Sequence, residues 1–372
     1  MTPTLQLPRT FLARGSLLAL PEELKALGLE RPLLVTDSGL VKCGVFGRVC
    51  KVLDGAVSYA VFDAVPENPT YDGVDRAAEV YRSQGCDGAV AIGGGSVIDT
   101  AKLVAVLGGH TGTASDYVGH SDRVTAATAP LIVVPTTAGT GSEASPDAGI
   151  HPDARTVSSG ITSRHVIPRV ALCDPETTVS LPPRLTAATG LDALSHCIEG
   201  FLATTFCPPA DAMALDGIRR VFRYLPAATA NGDDIDTRLQ MMVAAFEGGV
   251  AIGKGLGPAH AIAIACGDQG LHHAMLSAVG ILASLPVMES HAQHRVRAIA
   301  EAMGLKAEQS AADGVRSLMR QVGLPISLRG IGYSAGDVSV LARDAAKSHF
   351  NLTSPYAPSE TEFARMIGAV LD

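Results

Sequence analysis

The chain has no tryptophan, and aromatic residues make up only 4% of its 372 positions, so any core must be packed from aliphatic side chains. No CxxC pair occurs, and the seven cysteines (Cys43, Cys50, Cys86, Cys173, Cys197, Cys207 and Cys266) are scattered and odd in number. That pattern argues against a disulfide framework and fits a reducing compartment. No block of Lys or Arg is present and the formal net charge is -8. A nucleic-acid partner is thereby disfavoured, because such binders carry a basic stripe. No uninterrupted apolar run reaches the roughly 20 residues that span a bilayer. The opening "MTPTLQLPRTFLARGSLLAL" lacks the basic-then-apolar layout of a signal peptide. The expectation is a soluble, cytoplasmic protein with no membrane partner. The dinucleotide fingerprint G-x-G-x-x-G, the Walker sequence and HExxH are also missing, so none of their chemistries is claimed.

What is present is a long, apolar chain. Hydrophobic residues form 47% of it, and the length predicts two domains. Up to about residue 180, short apolar runs alternate with helical spacing: "RPLLVTDSG", "VSYAVFDAV" (57–65), "YDGVDRAAEVYRSQG" (71–85), "DGAVAIGGGSVIDTAKLVAVL" (87–107) and "APLIVVPTTAGTGSEAS" (129–145). Strands alternating with helices imply a parallel sheet covered on both faces. From "LPPRL" (181–185) onward, Ala/Leu/Ile-rich helical stretches take over. The predicted organisation is an α/β domain over 1–180 and an all-helical domain over 181–372.

Two turns in the first half carry chemistry. "AVAIGGGSVIDTAK" places Gly93, Gly94 and Gly95 between a strand and a helix. Glycine lets backbone N–H groups approach a ligand, and a helix N-terminus favours an anion, so a pyrophosphate is the natural occupant. Ser96 can donate a hydroxyl to the same anion, and Asp99 follows one turn into the helix. "PTTAGTGSE" supplies a second polar turn with Thr136 and Thr137. Open parallel sheets bind ligands beyond the carboxyl ends of their strands, where such turns converge. Asp37 ends an earlier strand and either accepts from a ribose, which favours NAD over NADP, or serves as a turn or helix-cap acid.

The second half holds the other cluster. In "GLDALSHCIEG" (190–200), Asp192 and His196 are four residues apart and project from one helix face. Thr189, Asp192, His196 and Glu199 form a polar stripe one position along from the apolar stripe of Leu191, Leu194, Ile198 and Phe201. It therefore borders the core, as the wall of a cleft would. An ordinary surface Asp–His pair is the competing reading. "GLGPAHAIAIACGDQGLHHAM" adds His260, His272 and His273. One carboxylate with three imidazoles makes a shell for a divalent first-row cation. Glu199 reads first as an exposed helix acid and, as the alternative, as a group standing behind the ligands.

"GGGSVIDTAK", "PTTAGTGSEAS", "LCDPETT", "LPPRLTAATGLDALSHCIEGF" and "GLGPAHAIA" stand in the order and spacing of the iron-containing (group III) alcohol dehydrogenases. That family is related to maleylacetate reductase, glycerol dehydrogenase and dehydroquinate synthase. The resemblance spans about residues 5–370 and is most specific between 87 and 275. It implies a dinucleotide-binding α/β domain joined to an all-helical domain, NAD as cofactor, and a divalent metal, Fe2+ or alternatively Zn2+. It puts the metal ligands on Asp192, His196 and His260, with the fourth on His273 or, failing that, His272. Ile264 stands where many relatives have a further histidine, so any proton relay moves, with His272 as its replacement. Ser158, with Arg155 nearby, stands where relatives have a cofactor-contacting lysine.

The resemblance further implies a homodimer that moves hydride between NAD(H) and a small alcohol, aldehyde or ketone whose oxygen the metal polarises. The alternatives are a dehydroquinate-synthase-like lyase and a non-catalytic NAD- or metal-binding relative. The lyase would need a basic pocket, and few Lys or Arg flank the motifs.

Overall fold

The computed structural model describes residues 5–153, 156, 159–334 and 336–372. The chain divides into two compact units. One comprises Gln6–Thr137 and Ser142–Leu181; the other comprises Pro182–Asp372 and takes in Ala138–Gly141.

The first unit is built on a six-stranded sheet of β1 (Arg9–Leu12), β2 (Leu33–Val35), β3 (Ala60–Phe62), β4 (Ala89–Gly93), β5 (Leu131–Pro135) and β8 (Val170–Cys173). The order is β1-β8-β5-β4-β2-β3, and every pairing is parallel. A separate antiparallel hairpin joins β6 (Asp147–Ile150) to β7 (Ser159–Thr162).

The central strands are buried on both faces, which is why they read as continuous apolar runs and not as alternation. Leu33, Val35, Ala89, Ala91, Leu131 and Val133 pack on one face against helices Tyr71–Ser83 and Gly95–Gly109. Leu34, Val90, Ile92, Ile132 and Val134 point to the other face, against Leu20, Leu24, Val49 and Leu53. The chain moves outward from β2 to β3, then returns past β2 to β4 and onward to β5. The order therefore reverses between β2 and β4, a ligand-binding crevice in folds of this kind.

In the second unit no strand occurs among the described residues. Its apolar core joins helices Pro183–Leu202, Pro208–Ala230, Ile235–Ile252, Pro258–Ala265 and His273–His291 with the helices that follow. Helix Pro183–Leu202 is buried from Thr186 to Leu202. Helix His273–His291 is long and apolar enough to cross a membrane, yet 72% of its apolar window is buried inside the protein.

Close glycine contacts set two of the packings in this unit. Gly141 takes φ +63, and a Cβ on Gly249 would sit 2.0 Å from its carbonyl oxygen. This anchors Ala138–Gly141 on helix Ile235–Ile252. A Cβ on Gly280 would sit 2.4 Å from the Ala259 carbonyl, so helix His273–His291 lies directly against helix Pro258–Ala265.

Candidate functional site

In the first unit the predicted cofactor residues gather at the carboxyl ends of β2, β4 and β5. Gly93 pairs with Pro135 in register, so the two polar turns leave adjacent strands side by side. The Thr136 amide donates to the Gly93 carbonyl at 3.0 Å. A Cβ on Gly94 would meet Thr137 Cγ2 at 3.0 Å, and one on Gly93 would collide with Val97 at 2.4 Å. Gly94 caps helix Gly95–Gly109 without any side-chain hydrogen bond, and the first turn carries no acid. Its amides and dipole are therefore available to an anion.

Three other side chains there have partners within the protein, and those of Ser96 and Asp99 were not shown by the sequence. Asp37 caps the short helix Ser38–Lys42, its Oδ1 accepting from the Gly39 and Leu40 amides. The helix-cap reading thus holds for one of its two oxygens. The Ser96 hydroxyl donates to the Glu67 carbonyl, so its proton is engaged within the protein. Asp99 turns toward the protein: Oδ1 accepts from Ser142 Oγ at 2.6 Å and Oδ2 from the Gly149 amide at 2.9 Å.

Lys102, one turn further along, is fully buried. Its Nζ donates to the carbonyls of Ser145 at 3.0 Å and Asp147 at 2.6 Å. Burial pushes Lys102 down, against the pull of Asp99, Asp147 and Glu143. Burial also raises Glu143 to about 7 and Asp147 to about 6. Ser158 and Arg155 lie outside the described residues.

In the second unit Asp192 and His196 sit on helix Pro183–Leu202, His260 on helix Pro258–Ala265, and His273 at the start of helix His273–His291. Ligand atoms of Asp192, His260 and His273 all lie within 4.8 Å of one another. His196 stands beside them, its ring stacked on His260 with centroids 5.0 Å apart and its Nε2 3.8 Å from Asp192 Oδ1. Asp192, His196 and His260 are only 2%, 5% and 2% exposed, whereas His273 is exposed.

Asp192 Oδ1, His196 Nδ1 and His260 Nε2 are buried with no hydrogen-bond partner. Such groups are costly unless something satisfies them. Desolvation pushes Asp192 upward, but the imidazoles of His196, His273, His260 and His272 outweigh it and leave the carboxyl below its usual range. Burial pushes His196 down, against the pull of Asp192. Neutral imidazoles facing a carboxylate are the protonation states that a cation requires.

Glu199 corrects the sequence reading. It is 3% exposed, because its helix has no solvated side there. Oε1 accepts from the Ala259 amide at 2.7 Å, and Oε2 accepts from the His260 amide at 3.1 Å and from His260 Nδ1 at 2.6 Å. An ionised carboxylate can only accept, so Nδ1 carries the proton and the Nε2 lone pair is left facing the cluster. The signal was in the sequence: Glu199 is on the same stripe as Asp192 and His196. Sequence reasoning also passed over Phe350, whose ring centroid lies 5.9 Å from that of His260. His272 is not in the converging group; its Nδ1 is buried and unpartnered. Ile264 is half-buried on the helix of His260.

The family model described as iron-containing alcohol dehydrogenase matches residues 8–175, and the one for the C-terminal part of the Fe-containing alcohol dehydrogenase family matches residues 186–371. The chain belongs to the iron-containing alcohol dehydrogenase family. It is an oxidoreductase of that family, as the resemblance implied. It is 42% identical over 370 residues to 4-hydroxybutyrate dehydrogenase of Cupriavidus necator, covering 95% of each chain. Among solved structures it is similar to 1,3-propanediol oxidoreductase, with a TM-score of 0.95, 29% identity and 100% of both chains covered. It is also similar to the sulfoacetaldehyde reductase of Bifidobacterium kashiwanohense in complex with NAD+, with a TM-score of 0.91, 28% identity and coverage of 100% and 99%.

Proposed function

We propose that the protein transfers hydride between NAD(H) and a small alcohol or its aldehyde or ketone, and that a divalent cation held by Asp192, His196, His260 and His273 is required. In the oxidising direction the carbinol C–H bond breaks with its electron pair passing to nicotinamide C4. The hydroxyl proton is released, and the products are a carbonyl compound, NADH and H+. The observation that carries this reading is the convergence of Asp192, His260 and His273 within 4.8 Å around buried, unpartnered acceptor atoms. A mixed carboxylate and imidazole set suits first-row divalent ions, and membership of the iron-containing family puts Fe2+ first, with Zn2+ second.

When bound, the cation supplies Lewis acidity that makes an alcohol easier to deprotonate, and NAD supplies the hydride-accepting ring. The chain's own residues do the rest. Glu199 fixes the tautomer of His260. The amides at Gly93, Gly94 and Gly95 take the pyrophosphate, with Ser96, Thr136 and Thr137 around it. The Asp37 oxygen not used in the cap takes the ribose. Asp99 acts at one remove, tying the first turn of its helix to Ser142 and Gly149. His272, buried at Nδ1 beside the cluster, is the group assigned to pass the hydroxyl proton outward.

Elemental analysis of the purified protein, coupled to an NADH-absorbance screen of alcohols and aldehydes, tests this. Chelation is expected to abolish turnover and Fe2+ to restore it. Asp192→Ala and His260→Ala are expected to lose the metal while still binding NAD. Gly94→Val is expected to lose NAD while retaining the metal. Failure of that double dissociation overturns the assigned roles.

A further inference from the structure

Helix Pro183–Leu202 carries Asp192 and His196, and helix Pro258–Ala265 carries His260. The connector 253–257, which leads into the second of these helices, holds a buried cation, Lys254. Its Nζ donates to three carbonyls at the end of helix Pro183–Leu202: Gly200 at 2.8 Å, Phe201 at 3.3 Å and Ala203 at 3.0 Å. Asp211, in the first turn of helix Pro208–Ala230, pairs with the same ammonium. A buried ammonium is costly unless it is paired and hydrogen-bonded, and these acceptors engage all of its N–H groups. Helix Pro183–Leu202 has no basic residue in its own last turn. Its carbonyl end, where the macrodipole is negative, is therefore met by a charge from elsewhere in the chain.

The two ligand-bearing helices are thereby fastened twice, with opposite charges. Glu199 reaches from the first helix to the amides of Ala259 and His260 at the start of the second. Lys254, six residues before His260, reaches back from the connector to the carbonyls just beyond Glu199. There is no slack between these points. A Cβ on Gly257 would meet Glu199 Oε1 at 2.9 Å, and one on Gly200 would meet Ala251 Cβ at 2.6 Å. Thr353 Oγ1 donates to the Leu256 carbonyl at 3.0 Å and holds the connector from its other side. Arg295 offers the comparison. From helix Gln293–Ala302 its Nε donates to the Phe201 carbonyl at 2.9 Å, and it pairs with Asp211 at 3.0 Å. It caps the same helix end and shares the same carboxylate, but it belongs neither to the connector nor to a helix that carries a ligand.

Resting on the metal-site reading above, we infer that Lys254 is a positioning residue for the cation site. It fixes how far His260 stands from Asp192 and His196. It acts through the connector and is no ligand itself. Without its charge the connector is released from the helix end, and the start of the His260 helix keeps only its fastening to Glu199.

Titration of the metal-free protein with Co2+, followed through the visible d–d bands that report ligand number and geometry, tests this. Lys254→Met keeps an unbranched chain and removes the charge. It is expected to displace the bands and to weaken Co2+ binding by about tenfold or more, the scale of losing a group that orients a ligand. Lys254→Arg is expected to recover part of both, because a guanidinium can donate to the same carbonyls. Arg295→Met is expected to lower the melting temperature while leaving the bands in place and the Co2+ affinity within about twofold of the parent. If the methionine variant does not fold, Lys254→Gln, which keeps N–H donors without the charge, is read in the same way. Unchanged bands and a Co2+ affinity within about twofold of the parent in the Lys254 variant overturn the inference. So does an equal effect of Arg295→Met, which reduces Lys254 to an ordinary helix cap. A parent protein that takes up no Co2+ overturns the metal-site reading itself, and this inference with it.

Discussion

Glu199 receives three N–H groups, two from the backbone at the start of a helix and one from an imidazole. Replacing it with Gln keeps the volume but leaves one oxygen where two are needed, and the amide nitrogen must face a donor. The expected outcome for Glu199→Gln is a metal affinity lower by about 10–100-fold, the usual effect of losing a partner behind a ligating histidine, read by competition with a chromogenic chelator. Glu143 gives a residue-scale prediction of another kind. Its folded value near 7 stands above its ordinary 4.5, so between those values the folded chain holds a proton that the unfolded chain has released. Stability contributed there falls as pH rises through that window, by about 3–4 kcal/mol in total. Glu143→Gln is expected to flatten the fall, measured as unfolding free energy from pH 5 to 8.

At the scale of elements, the glycine crossings decide whether the ligands can meet. A Cβ at Gly280 has nowhere to go except against the Ala259 carbonyl, one residue from His260. Gly280→Ala is expected to cost about 1–3 kcal/mol through overpacking and to weaken metal binding at the same time, read by thermal melts with and without added cation. Much at this scale was legible beforehand. The strand, glycine turn and helix around Gly93–Gly95 read correctly because a fully buried strand and a glycine turn each leave a local pattern. The Asp192–His196 spacing read correctly because one helical turn is a local quantity. The four-residue strands β1 and β8 left too short a pattern to register. Glu199 was misread because a period of 3.6 shows which residues share a face and cannot show that the helix is covered on every side. The partners of Ser96 and Asp99 were invisible for a related reason: they are a carbonyl 29 residues upstream and groups 43 and 50 residues downstream.

At the scale of the whole chain, the sequence told apart a sheet-bearing half and a helical half by texture alone, and the family shown by both halves is the one its motifs resembled. Each half carries one proposed ligand. Binding to the folded state alone stabilises by about 2.7 kcal/mol at a hundredfold excess over Kd. Hydrogen exchange is therefore expected to show added Fe2+ protecting amides of Pro258–His291 and added NAD protecting those following Gly93. Protection that appears in the opposite halves would contradict the assignment of ligands. The bond from His260 to Glu199 has a further consequence. Because one acid both starts the helix and aims the imidazole, the receptacle is finished as soon as the polypeptide has folded. An ion held there is expected to be extractable and exchangeable without denaturing the chain, so that the element found would depend on supply as well as on geometry.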